Sequence, residues 1–205
     1  MSHFVTMVIG DDPEAQLAPY SETLEVDEYC EKVSEHDKQR MLDYYNENRQ
    51  QPYTSFDKCY ADNGEDWNGN IYRKNETGEW CEYSTYNPES KWDWYLLGGR
   101  WSGQILIMKK GATTGIVGEP SWCSKTRGID AARKKDIDFE AMYRKEEAWA
   151  PYAVVKDGKW YARGRMGWWG VSHDNMPDDE WVAKVQELIE SLPDDALVSI
   201  YDCHI

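Results

Sequence analysis

Two short stretches carry the residue types best suited to binding chemistry. In residues 87–103, NPESKWDWYLLGGRWSG, three tryptophans and a tyrosine surround Gly98-Gly99, Arg100 and Trp101. A Gly-Gly turn admits positive φ, and its backbone N–H groups can cradle an anion. Arg100 adds a planar fork for phosphate or carboxylate beside an aromatic face. A plainer reading makes Gly98-Gly99 a strand connection and pairs Arg100 with Asp93. Residues 163–170, RGRMGWWG, repeat the recipe with Arg163, Arg165 and the adjacent Trp168 and Trp169. Neighbours on a strand face opposite ways, so one of these tryptophans can be core while the other meets a ligand. Stacking a ring on tryptophan contributes about 1–3 kcal/mol, and arginine–phosphate contacts favour nucleotides over bare aromatic rings. The ligand-binding candidates are therefore Trp94, Gly98, Gly99, Arg100, Trp101, Arg163, Arg165, Trp168 and Trp169, with the two blocks lining one pocket. Neither block is a phosphate loop or a dinucleotide fingerprint.

Catalytic chemistry is less well supplied. The histidines are His3, His36, His173 and His204. His3 and His204 meet only if the first and last strands are antiparallel neighbours. With His173, Asp174 and Asp202 they would then offer an acid/base pair or a metal site. No HxH, HxxxH or HExxH spacing supports a metal, and a strand-end histidine is more often a hydrogen-bonded structural group. His36 lies in an acidic helix and is read as solvated. Cys203 and His204, adjacent on a strand, face opposite ways and cannot form a dyad. Ser102 lacks a nucleophile elbow. The expectation is a protein without a metal, a cofactor or an assigned catalytic residue, and His3, His173 and His204 are the candidates should it be an enzyme.

Charge sharpens this picture. The 205-residue chain has a formal net charge of −15. Residues 1–90 hold 20 acidic and 7 basic side chains, residues 91–172 hold 9 and 15, and residues 173–205 hold 9 and 1. Eight of the 11 tryptophans fall in that basic middle, which concentrates cations and rings together. Direct nucleic-acid binding is not expected from so acidic a chain. No apolar run is long enough to span a membrane, and the opening residues do not read as a secretory leader, so a cytoplasmic protein is expected. The five scattered cysteines, with no C-x-x-C pair, are expected to be free thiols.

The elements that must position these residues are partly legible. His3 to Ile9 reads as a strand closed by Gly10-Asp11-Asp12-Pro13. One or two exposed helices are expected in 27–50, and 53–90 lacks a durable period. Residues 103–108, GQILIM, read as a second strand, 111–128 as a loop, and 137–149 as a helix. Asp157-Gly158 between two β-rich runs marks a two-residue hairpin. Trp181, Val182, Val185, Leu188, Ile189 and Leu192 form one apolar helical face that Asp178 or Asp179 can cap. Residues 196–204 make the last strand. The expected fold is α+β: one domain over 1–205 with an irregular, acidic insertion at about 27–90. Its sheet is mixed and mostly antiparallel, with helices packed on one face and the N- and C-terminal strands together.

Four blocks in this order, MSHFVTMVIG with QLAPY, WDWYLLGGRWSG, GRMGWWGVS and YDCHI, resemble a family of small proteins encoded by bacteriophages and prophages. The likeness covers about half the chain, leaves 27–86 unmatched, implies a setting in an infected bacterial cytoplasm and assigns no catalytic residue. Joined to the Gly-Arg-Trp blocks, it leads to the expectation of a binding protein that sequesters a small anionic, nucleotide-like ligand such as a host immune signal. Pockets of this kind often form between subunits, so a homo-oligomer is one expected state. Two other classes stay open: a nucleotide phosphodiesterase or hydrolase using His3, His173 or His204, and an acidic decoy that binds a host protein through residues 1–90.

Overall fold

The computed structural model describes residues 2–124, 128–143, 150–167 and 171–205. In chain order its strands and helices are β1 (His3–Ile9), α1 (Pro13–Leu17), β2 (Tyr29–Lys32), α2 (Glu35–Asn46), α3 (Phe56–Asn63), β3 (Tyr72–Lys74) and β4 (Trp80–Ser84). They continue with β5 (Trp94–Gly99), β6 (Ile116–Val117), β7 (Glu119–Pro120), β8 (Ile129–Arg133), α4 (Phe139–Tyr143), β9 (Ala153–Lys156) and β10 (Lys159–Ala162). The last are β11 (Arg165–Met166), β12 (Ser172–His173), α5 (Asp178–Glu190) and β13 (Leu197–His204). The fold is α+β, and none of the described helices is long and apolar enough to cross a membrane. The chain divides into two compact units, residues 1–24 with 87–205, and residues 25–86.

The larger unit is built on an eight-stranded mixed sheet whose spine runs β10-β9-β1-β13-β5-β7. β1 and β13 are antiparallel neighbours in full register, His3 opposite His204 and Ile9 opposite Val198. Their side chains alternate between two apolar layers, as strand geometry requires. Val5, Met7, Ile9, Val198 and Ile200 join the layer under α5, which supplies Trp181, Val185, Leu188 and Ile189. Phe4, Val8, Tyr201 and Cys203 join Leu17 and Tyr20 on the other side. Burial on both faces explains why β1 reads as a nearly unbroken apolar run. The hairpin between β9 and β10 has both turn residues in the left-handed region, Asp157 at φ 53° and Gly158 at φ 71°, the geometry of a type I′ turn.

β13 has two partners along one edge. Leu197 to Ser199 pair with β8, and Tyr201 to His204 pair with β5. Residues 103–108 are not a strand, contrary to expectation. They are apolar because Ile105 and Leu106 lie across the core layer beside α5, without a ladder of their own. Within the larger unit the strand that follows β1 in the chain is instead β5. The loop at 111–128 contains β6 and β7, and the described part of the expected 137–149 helix is α4.

The smaller unit holds more order than its composition suggests. β2, β4 and β3 form an antiparallel sheet, and α2 and α3 contribute to a core of Met41, Tyr53, Phe56, Cys59, Tyr60 and Tyr72. Tyrosine tips are satisfied internally: the Tyr60 hydroxyl accepts from Tyr72 N at 2.6 Å and donates to Tyr72 O at 3.0 Å. Cys30 and Cys81 form a disulfide, which corrects the expectation of five free thiols. Cys30 stands opposite Tyr83, so Cys81 is its diagonal neighbour on the same face, with Cα atoms 5.4 Å apart. A separation of 51 residues offers no sequence signal for that contact. Cys59, Cys123 and Cys203 are free.

Candidate functional site

Gly98 and Gly99 are the last residues of β5, paired with β7, and the space beside them is filled by the protein's own carboxylates. A Cβ on Gly98, at φ 80°, would overlap the Asp130 carboxylate, and one on Gly99, at φ 51°, would overlap Asp202. Both aspartates are almost wholly buried. Asp202 accepts the Arg100 backbone N–H at 2.9 Å, and Asp130 accepts Gly103 N at 2.8 Å, Gly118 N at 2.9 Å and the Ser102 hydroxyl at 2.8 Å. These carboxylates satisfy backbone N–H groups of residues that lie outside the strands. The Arg100 side chain is exposed, and Trp101 packs against the main core layer.

Two His–Asp pairs lie nearby. His3 Nδ1 bonds Asp202 Oδ1 at 2.7 Å, and His204 Nδ1 bonds Asp93 Oδ1 at 2.6 Å. The imidazole centroids are 4.9 Å apart, and Trp94 stacks on His204 at 5.0 Å. Asp93 thus serves His204 and not Arg100. The pairs orient both rings, yet the histidine side chains are only 8% and 7% exposed, and His204 Nε2 is buried with no hydrogen-bond partner among the described residues. His173 stands apart on β12, opposite Arg165. No group of three or more His, Cys, Asp or Glu side chains able to hold a metal occurs among the described residues.

The blocks at 87–103 and 163–170 meet elsewhere, at a cavity of about 220 Å³ within the larger unit. Phe4 from β1, Tyr152 ahead of β9, Trp160 from β10 and Met166 from β11 supply apolar walls, while Lys91 and Arg165 supply cations. Phe4 meets Tyr152 edge-on at 5.5 Å and Trp160 at 6.3 Å. The Tyr152 hydroxyl is buried without a partner among the described residues, and burial pushes its pKa up to about 12, with Arg163 opposing. Lys91 makes no ion pair with a described residue. The first block therefore reaches this cavity through Lys91, upstream of the tryptophans, and the second through Arg165.

Arg163 is not part of the lining. It pairs with Asp178 at the start of α5 and donates to Met176 O. Trp168 and Trp169 lie outside the described residues. Phe4, Lys91, Tyr152 and Trp160 were not singled out from the sequence. A lone lysine ahead of WDW and a tryptophan in a hairpin strand were the only local hints.

A second hollow, of about 410 Å³, lies within the smaller unit, with Arg40 over the Trp67 ring. Its Asp66 is already taken by Asn68 N, Asn70 N, the Asn70 amide and the Tyr72 hydroxyl. Searches with this chain match no family model, no curated protein and no solved structure.

Proposed function

We propose that this protein captures a small anionic ligand with an aromatic ring, of nucleotide type, and acts by sequestering it. The observation that carries the reading is the aromatic-walled cavity with Lys91 beside it, a cation that makes no ion pair with a described residue. Aromatic walls suit a planar ring, and an ammonium suits its charge. At about 220 Å³ the cavity is smaller than the ~300–1,000 Å³ usual for drug-sized ligands, so it seats one ring system with the anionic group at the mouth. The setting we propose is an infected bacterial cytoplasm, where capture of a signalling nucleotide would blunt a host response.

Calorimetry with a panel of mononucleotides and dinucleotides tests this. Lys91→Ala should weaken binding by about one to two orders of magnitude, the effect of losing a charge-assisted contact, with an unchanged circular dichroism spectrum. Trp160→Ala should weaken it through lost stacking. If no nucleotide binds, or both variants bind like the wild type, the cavity is not the ligand seat.

A second reading, hydrolysis of a nucleotide, is favoured by the two His–Asp pairs, since a carboxylate on Nδ1 is how an imidazole is oriented for proton transfer. Mass spectrometry of what is recovered after denaturing the loaded protein separates the two. Intact ligand supports capture, and product supports hydrolysis.

A further inference from the structure

The cavity's two cations are held differently. Lys91 makes no ion pair with a described residue, whereas Arg165 donates from Nε and Nη2 to one oxygen of Asp174, at 3.0 and 2.6 Å. Arg165 opens β11 and Asp174 follows β12, so the ladder that sets Arg165 opposite His173 brings the carboxylate to the guanidinium. Asp174 sits in the left-handed region at φ 52°, one of three described non-glycine residues to do so. The two side chains are 82% and 69% exposed, which leaves the pair in water with little stabilising value of its own. Asp130 and Asp202 are the contrast: buried, and each answered by backbone N–H groups.

Resting on the reading of this cavity as the ligand seat, we propose that Asp174 is an internal competitor for the ligand's anionic group. It occupies the Arg165 fork while the cavity is empty, and a phosphate displaces it. Release puts the Asp174 carboxylate into water and so carries little desolvation cost. A phosphate dianion, with more charge and three acceptor oxygens, outcompetes a single carboxylate oxygen, and a neutral nucleoside has nothing with which to compete. Asp174 thereby lowers the site's affinity for phosphorylated rings without touching that for neutral ones, so that it tempers the preference Arg165 confers.

The probes are AMP and adenosine, titrated by calorimetry into the full-length protein. Asp174→Asn keeps the shape and the tolerance for left-handed backbone while removing the competing charge. It should tighten AMP binding about two- to five-fold, the range of an exposed ion pair, and leave adenosine unchanged. Arg165→Ala should weaken AMP, and Asp174→Asn should have no further effect in that background. Asp179→Asn removes the same charge from the first turn of α5 without touching Arg165 and should change neither probe. The proposal is overturned if Asp174→Asn leaves AMP affinity unaltered, acts equally without Arg165, or is matched by Asp179→Asn. Wild-type protein that binds AMP and adenosine alike, with Trp160 required for both, would keep the cavity reading and overturn the role of Asp174. Binding of neither probe would overturn both.

Discussion

A buried carboxylate is costly to hold unless hydrogen-bond donors surround it; Asp202 and Asp130 find theirs in the turn that follows β5 and, for Asp130, also at Gly118 between β6 and β7. The two glycines that end β5 are required by the aspartates, since each leaves the space that a carboxylate side chain fills. Gly99→Ala is the sharpest test at this scale. It places a side chain at φ 51°, which costs about 1–2 kcal/mol of backbone strain. It also forces Asp202 aside, an overpacking cost of about 1–3 kcal/mol. Urea unfolding should show a loss of that combined size, with the denaturant slope unchanged. A loss below 1 kcal/mol, on the order of an ordinary surface substitution, would mean that Asp202 is not held by the turn.

Among the elements, β13 organises the larger unit because both of its edges are paired along nearly their whole length, and the His–Asp pairs lie where β1, β13 and β5 meet. The short sheet of the smaller unit depends on a different device. Its core is small and rich in tyrosine, and the Cys30–Cys81 bridge ties β2 to β4 across 51 residues of chain. In the chain-entropy model a loop of that length stabilises by about 4 kcal/mol. Cys30→Ser with Cys81→Ser, or treatment with a strong reductant, should therefore raise amide exchange across residues 25–86 while sparing β1 and β13. Uniform exchange in both units would show that the bridge does not act locally. Cys81 is wholly buried and Cys30 is half-buried, so an attacking thiol would meet the Cys30 sulfur first.

Across the molecule, many acidic hydrogens are kept on by burial. Tyr143 and Tyr152 are pushed from 10.0 up to about 12, chiefly by burial, and the Cys203 thiol from 9.0 up to about 12. Tyr20 and Tyr95 are raised for the same reason. In each case the unfolded chain gives up its proton at lower pH than the folded one. These groups therefore contribute stability that is fully present below about pH 9, declines as the unfolded groups ionise, and is gone once pH has risen through the folded values near 12. The urea midpoint should fall steeply above pH 9.5, roughly, ahead of any rise in tyrosinate absorbance of the native protein. A midpoint flat through that range, or tyrosinate appearing before unfolding, would contradict the burial described here.

What the sequence determined by itself is whatever a local pattern can encode. The continuous apolar runs of β1 and β13, the Asp157-Gly158 turn and the apolar face of α5 are written in consecutive residues, because periodicity and left-handed turn chemistry act over one element. From the burial of both terminal strands their adjacency also followed. Burial without a named partner is as far as such patterns go. Residues 103–108 have the composition of a strand, yet they cross the core layer, since apolar side chains drive burial equally well with or without a ladder. The Gly-Gly turn was legible as an anion cradle, but only the tertiary structure supplied the anions, Asp130 and Asp202, from strands 31 and 103 residues beyond Gly99. The Cys30–Cys81 contact depends on a ladder register, and the cavity depends on Phe4, Lys91, Tyr152 and Arg165 converging from four distant segments. Contacts of this kind are decided when strands choose neighbours, a choice made by the whole chain at once.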